Sequence, residues 1–526
     1  MLAFAAAPLF VAFAWQHTVA SVGDDSVSYL AIASWFAGGA DPLLAPWLAW
    51  HSHFPPFFPM VLAATGGAGD FLVAHVVVAV CAAVSLGLVA RYAGLRLQDD
   101  WSGLAVACGF LVLPTAWISV KGILSESLYL AVSLAALLAH ERWIARGDPR
   151  ARSYLAFGVL LALAHSTRAV GITLVAAFAV HEAVRAVSTR EIRARALWAL
   201  VPVAAFAIAW TLARPGGHVY ASTVSAIATS WLDAPMRALQ VTSAMFLGGW
   251  TASFVAEGDV APAIRVVVYA VGIAALAGST RAALRNRIDG WYVLLTALVV
   301  FLWLGEVDNM RRLLYPVVPL ALMHAAEAVI ALVRRARVRK PRMAVMALCA
   351  APLALCLPAT ALVAEKSFDR AALVPGSRYR ACDITDYYQL INRPQALALA
   401  AKHAGTLAGL EALRTATAPQ ARVMWMRPEY VALLGGRAGV PYEYGWDART
   451  LATRIRDERV DYLVIAGISK SDVELRLGDP IVAMRQAQPY SERAMALSSP
   501  YTGEDEFVLL RIDRAALEAW LAAAPR

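Results

Sequence analysis

Residues 154–181 read YLAFGVLLALAHSTRAVGITLVAAFAVH, one apolar run broken at its middle by His165-Ser166-Thr167-Arg168. Arginine-rich blocks flank it on both sides, Arg142–Arg152 before it and Arg185–Arg195 after it. Basic loops next to membrane spans stay in the cytoplasm, so both ends of this run belong to one face. A single straight helix cannot enter and leave by the same face. The run therefore predicts two short helices forming a hairpin, with Arg168 near its tip. An arginine is costly in lipid, so it is expected to face protein or a water-filled cavity. A snorkelling arginine with no role is the plainer alternative.

Working outward, runs of about 20 mostly apolar residues, enough for a bilayer span, occur near 2–20, 70–91, 101–119, 123–140, 196–213, 260–278, 289–305, 313–333 and 343–363. The first is longer than a signal-peptide core and lacks a basic start, so it is kept as a span, although a cleavage after Ala20 is compatible with it. Five loops, Arg91–Arg96, Arg142–Arg152, Arg185–Arg195, Arg281–Arg287 and Arg334–Arg342, hold 19 of the 26 basic residues before residue 365. With all five in the cytoplasm the spans alternate correctly, provided 154–181 is a hairpin. The fold class is then a polytopic α-helical membrane protein of about 11 helices, including the two-helix hairpin. Its N-terminus is cytoplasmic and its C-terminal α/β domain extracytoplasmic.

Composition agrees. Of 526 residues, 60% are hydrophobic and 16% charged, and mean hydropathy is +0.57, which excludes a disordered chain and a soluble enzyme. The net charge of +9 does not point to nucleic acid, because only five lysines are present and the arginines sit in short blocks. Residues 365–526 carry 21 Lys/Arg and 20 Asp/Glu, a soluble balance, so the chain divides into a membrane domain, 1–364, and a tail, 365–526. The cysteines imply no disulfide framework, since Cys382 stands alone in the tail.

This orientation gathers polar residues on the outer face: Asp24, Asp25, Asp41, Glu126, Asp233, Glu257, Asp259, Glu306 and Asp308, with His51, His53, Lys121, Arg214, Arg237, Arg311 and Arg312. Carboxylates and guanidiniums converging on one face make a reaction chamber. In the first outer loop, Gly23-Asp24-Asp25 is followed by Ser26–Ala33, read as a short amphipathic helix lying on the membrane, and then by His51-Ser52-His53-Phe54-Pro55-Pro56-Phe57-Phe58-Pro59. Two adjacent carboxylates repel, which favours one of them as a base. Capping of the surface helix explains them equally well.

These residues resemble the GT-C glycosyltransferases, polytopic enzymes that use polyprenyl-phosphate sugars and include the protein mannosyltransferases and the lipid A aminoarabinose transferases. The likeness lies in Gly-Asp-Asp-x-x-x-Tyr-x-x-x-Ala from Gly23, in Pro55–Pro59, in Ile123-Leu124-Ser125-Glu126-Ser127-Leu128-Tyr129, in Ala164–Arg168, and in Arg311-Arg312-Leu313-Leu314-Tyr315-Pro316-Val317-Val318-Pro319. Each motif is weak alone; five in the family order are stronger, and they cover residues 1–335. The tail adds Val431–Arg437 and Val460–Ile465. One departure stands out, because Phe54 occupies the place where some relatives carry a phosphate-binding Lys.

The resemblance implies transfer of a sugar from a polyprenyl phosphate to an acceptor hydroxyl of a lipid, glycan or protein on the external side, and the Arg-rich, Lys-poor, Ala-rich usage fits a bacterium, hence its cytoplasmic (inner) membrane. It makes Asp25 the first choice of base, with Asp24 as neighbour or alternate. Glu126 would orient the acceptor, although a carboxylate favoured by the helix dipole explains it as well. Arg168, Arg311, Arg312 and Lys121 are the candidate donor-phosphate ligands, and Tyr29, His51 and His53 the candidate substrate contacts. The reading needs no cofactor. A divalent metal between Asp24, Asp25 and a histidine is compatible with the residue types, but no spacing is diagnostic of one. Membrane lipids are expected partners and nucleic acid is not.

In the tail, Arg422–Met426, Asp461–Ile465 and Phe507–Ile512 read as strands, and Glu429–Leu434 and Arg449–Glu458 as helices, which predicts a small α/β domain serving as an acceptor-facing lid or partner surface. Asp383–Tyr388 suits either a glycan contact or an exposed loop. The rival functions are a secondary transporter or flippase, and an O-antigen ligase or polymerase. The first usually places polar residues at the bilayer midplane within repeats. Here the polar residues gather at one face and no repeat is visible.

Overall fold

A computed structural model describes residues 2–15, 25–38, 43–44, 54–145, 150–213, 219–255, 261–303, 307–336, 341–388, 392–442, 446–466 and 480–523. Five of its helices are long and apolar enough to cross a membrane: Phe71–Leu97, Glu126–Ala145, Ala169–Thr189, Ala194–Ala213 and Pro262–Leu284. Exposed Val80, Val84, Ile208 and Ile273 along them are side chains that lipid would cover. Glycines let the helices approach closely. A Cβ on Gly278 would fall 2.0 Å from the His324 carbonyl, so no larger residue fits where Pro262–Leu284 crosses Val318–Arg335.

The hairpin forms. Helices Ala151–Thr167 and Ile172–Thr189 turn at Arg168 through one short 3-10 segment, and they run side by side, with the Phe157 and Phe178 rings 5.0 Å apart. They are not short, however. At 17 and 18 residues each is about 25 Å long, so Arg168 stands a full helix length from Arg150.

Two expected spans are broken. The run at 101–119 is split into Asp100–Leu111 and Pro114–Lys121, bent by 60°. Pro114 opens the second piece and has no N–H to continue the first. The run at 313–333 starts as a helix only at Val318, beyond the Pro316 turn, while Val307–Leu314 forms a separate short helix. Between residues 213 and 260, read from sequence as outer loop, lie Val219–Asp233 and Pro235–Ala252.

The tail carries a five-stranded sheet of order β2-β1-β3-β5-β4, with β1 Arg422–Trp425, β2 Ala438–Pro441, β3 Tyr462–Ile465, β4 Ser491–Ser498 and β5 Asp505–Ile512. Strand β1 runs parallel to β2 and β3, whereas β5 is antiparallel to β3 and β4. Side chains alternate between the two faces of a strand. Val423, Trp425, Val464, Phe507 and Leu509 meet helix Arg393–Ala416, while Met424, Leu463, Val508 and Leu510 meet Ala448–Asp457 and Arg514–Ala523. Helices thus cover both faces, which is why β1 and β3 read as unbroken apolar runs. The long helix comes this near only because residue 409 is glycine, since a Cβ there would lie 2.2 Å from the Phe507 ring.

Candidate functional site

The site grows from the start of helix Ser26–Gly38. Its first turn closes through the Tyr29 N–H donating to the Asp25 carbonyl, 2.9 Å. The Asp25 carboxylate accepts from Arg312 Nη2 at 2.6 Å, and Arg312 Nε donates to Glu126 Oε1 at 2.8 Å. The same Glu126 oxygen lies 2.8 Å from Arg168 Nη1 at the hairpin tip. An alternating row results: Asp25, Arg312, Glu126, Arg168. Glu126 is fully buried, whereas the Asp25 side chain stays 24% exposed.

Each piece has a local cause. Glu126 opens the helix Glu126–Ala139, where a carboxylate faces the positive end of the helix dipole. Arg312 sits in the last turn of the eight-residue helix Val307–Leu314, beside its buried neighbour Arg311. Tyr29 is held edge-on by Phe54 at 5.3 Å and Phe58 at 5.1 Å, so the proline-aromatic segment orients it. Its hydroxyl meets Ser125 Oγ at 2.9 Å, and Arg168 Nη1 donates to that same Oγ at 3.3 Å. The Arg168 guanidinium is therefore turned into protein. Ser125 had no role assigned from sequence; its place directly before Glu126 was the available signal.

The structure thus brings together Asp25, Tyr29, Glu126, Arg168 and Arg312. Lys121 goes elsewhere: it is fully buried, with Nζ 4.1 Å from the centre of the Tyr388 ring in the tail. Asp383 is close to the same ammonium, and burial lifts its carboxyl above the usual carboxylate range, against the opposing pull of the Arg380 N–H and the Lys121 charge. Asp383–Tyr388 is consequently neither an exposed loop nor an open glycan surface, since Asp383, Tyr387 and Tyr388 are all buried. Asp24, Asp41, His51, His53, Arg214, Glu257, Asp259 and Glu306 lie outside the described residues. Among the described residues no group of three or more His, Cys, Asp or Glu is arranged to hold a metal ion, and the metal reading rests on Asp24, His51 and His53.

Helix Ser26–Gly38 does not lie bare on a membrane surface. Every residue from Ser26 to Ala33 is buried. Ala432 joins the cluster of Ala31, Ile32 and Leu44, and Leu433 packs on the cluster of Tyr29, Leu30 and Ala33. Both belong to the tail helix Pro428–Leu433. The first loop is covered by the tail, which sequence periodicity within one element cannot report.

No family model matches the chain, and no curated protein matches it in sequence. Solved structures do match in fold. ArnT from Cupriavidus metallidurans superposes with a TM-score of 0.52 at 12% identity, over 99% of this chain and 98% of that one. The archaeal oligosaccharyltransferase AglB from Archaeoglobus fulgidus, in complex with an inhibitory peptide and a dolichol-phosphate, gives 0.51 at 13% identity, over 99% of this chain and 77% of that one. Both are GT-C enzymes, and the two superpositions take in the membrane helices and the tail alike. Although so little sequence is shared, the fold of this chain is the fold of these two structures.

Proposed function

We propose that the chain is a membrane glycosyltransferase that moves a sugar from a polyprenyl-phosphate donor to an acceptor hydroxyl on the tail side of the membrane. The observation that carries this is the row Asp25, Arg312, Glu126, Arg168: a partly exposed carboxylate beside two guanidiniums that a buried acid holds together. The kinship of fold with AglB, whose structure holds a dolichol-phosphate, supports a lipid-linked donor. In this reading residues 1–364 form the catalytic part, 365–526 cover it from outside, and the N-terminus faces the cytoplasm of a bacterium.

The chemistry follows from charge. The acceptor oxygen forms a bond to the anomeric carbon as the bond from that carbon to the phosphate oxygen breaks. The hydroxyl proton passes to the Asp25 carboxylate, and the bonding pair leaves with the lipid phosphate. Arg312 and Arg168 stabilise that phosphate in a poorly hydrated site, where guanidinium–phosphate contacts are strong. Arriving phosphate competes with Asp25 for Arg312, so donor binding releases the carboxylate for its role as base. Glu126 keeps the two like charges adjacent.

The test is sugar transfer by the purified protein in detergent, with a panel of polyprenyl-phosphate sugars and membrane extract as acceptor. Wild type should turn over at least one donor, and Asp25→Asn should lose about 10²- to 10⁴-fold. Unchanged turnover in Asp25→Asn would move the base elsewhere, with Asp24→Asn the next variant. Absence of transfer with every donor would remove the glycosyltransferase reading and make a flux assay the next step.

A further inference from the structure

One buried polar contact joins the tail to the start of the Asp25 helix. Ser28 Oγ donates to Glu429 Oε1 at 3.1 Å, across 401 residues of sequence. Both residues are about 1% exposed. Arg427 Nη1 stands 3.7 Å from the same carboxylate oxygen. A buried carboxylate is costly unless its hydrogen bonds and charge are answered. At the tip of the tail helix Pro428–Leu433 a leucine would simply extend the apolar contact that Ala432 and Leu433 already make. The acid instead accepts from a hydroxyl in the first turn of helix Ser26–Gly38, with Arg427 beside it.

That hydroxyl lies three residues beyond Asp25, one helical turn away. Its neighbour Tyr29 closes the turn on the Asp25 carbonyl. On the other side of the turn Val27 is buried in the same cluster as Tyr387, Tyr388 and Tyr430 of the tail. The tail therefore grips residues 27 and 28 by an apolar and a polar contact at once. A turn held at two points fixes where its first residue points.

We propose that Glu429 is a positioning residue: through Ser28 it holds the first turn of the Asp25 helix and so sets the Asp25 carboxylate opposite Arg312. The tail is then part of the site's support and not a separate lid. The catalytic consequence rests on the glycosyltransferase reading above; the structural one does not.

Hydrogen exchange and kinetics on the full-length protein test it together. In Glu429→Ala the amides of residues 26–33 should exchange at least about tenfold faster than in wild type, and Glu429→Gln, which keeps the acceptor, should restore protection. In transfer assays Glu429→Ala and Ser28→Ala should each lower kcat by about tenfold or more with the donor KM unchanged. The double variant should be no worse than Glu429→Ala alone, because the Ser28 bond is already lost there. Unchanged exchange in Glu429→Ala overturns the proposal whether or not a donor is found. So does an equal loss in Glu429→Gln, or single-variant effects that multiply. If wild type transfers no sugar, the glycosyltransferase reading falls, and the exchange result alone decides whether Glu429 holds the loop.

Discussion

Two buried charge rows sit at opposite ends of one helix. Glu126 opens it at the tail-covered end, and Glu141 lies 15 residues on, about 20 Å away. At that second end Arg96 joins Glu141 at 2.9 Å to Asp289 at 3.4 Å, and Arg287 joins Asp289 to Glu327, whose two oxygens it meets at 2.7 and 2.9 Å. His324 adds a contact to Glu327 at 3.3 Å. Both rows alternate in sign and both centre on a fully buried acid. They differ in what they tie. The Asp289 row links four packed helices of 15 to 27 residues, Phe71–Leu97, Glu126–Ala145, Ile288–Leu302 and Val318–Arg335, and it begins and ends on carboxylates. The Asp25 row links a first-loop helix, a hairpin tip, an eight-residue helix and the first residue of Glu126–Ala145, so three of its four members come from short or turning pieces. Long packed helices make a clamp, while loop-borne groups on such a scaffold are where chemistry is done. In the reading proposed above, similar ion pairs serve a fixed frame at one end and an adjustable site at the other.

Paired substitutions separate the two rows. The largest expected effect is on turnover: Asp25→Asn should cut kcat by about 10³-fold while the melting temperature in detergent stays near wild type. Asp289→Ala should do the reverse. Removing it leaves Arg96 with Glu141 alone and Arg287 with Glu327 alone, at a cost of about 1–3 kcal/mol, with turnover per folded molecule preserved. If Asp289→Ala instead abolished turnover at unchanged stability, the division into frame and site would fail. A smaller effect sharpens the site half. Arg312 reaches two different acids with two different nitrogens, which a lysine cannot reproduce, so Arg312→Lys should lower kcat/KM by about tenfold or more. An equal loss of stability in that variant would place Arg312 with the frame.

Much of the Asp25 row was legible because topology does the gathering. Asp25, Glu126, Arg168 and Arg312 come from four separate stretches, and alternating the spans puts all four at one end. Their pairing was not legible. Whether Arg311 or Arg312 meets Glu126 depends on the phase of a short helix that the sequence ran into the span after it. Lys121 was grouped with the site because it stands at the right end, yet the bend at Pro114 carries its helix toward Tyr388. The Asp289 row was missed for the opposite reason. Counting basic residues to orient loops treats Arg96 and Arg287 as solvent charges, and nothing in the count reveals that acids on neighbouring helices answer them. Glu429 was invisible as a contact, since its partner lies 401 residues away in another part of the chain.

The tail offers the smallest test, and it separates surface pairing from the buried rows. Asp369, just past helix Pro341–Lys366, accepts from Arg393 Nε at 2.9 Å and from the Tyr387 hydroxyl. Burial works against its ionisation, but Arg393, Tyr387 and the Ala371 N–H outweigh that and hold its carboxyl below the usual carboxylate range. A depressed carboxyl stabilises the folded state fully above its unfolded pKa of about 3.9, and that contribution is lost as pH falls through the folded value. Arg393 is 60% exposed, so solvent screens the pair and the contribution is about 1 kcal/mol or less. Wild type should therefore lose part of its thermal midpoint between pH 5 and pH 3, measured in detergent at constant ionic strength. Asp369→Asn should start lower at pH 6 and lose less on acidification, so that the two curves converge. Raising salt should shrink the gap between them at pH 6, because the pair is exposed. Adding the same salt should leave the Asp289→Ala deficit unchanged, since that row is shielded from ions. Parallel salt responses in the two variants would show that exposure does not divide these ion pairs as the comparison holds.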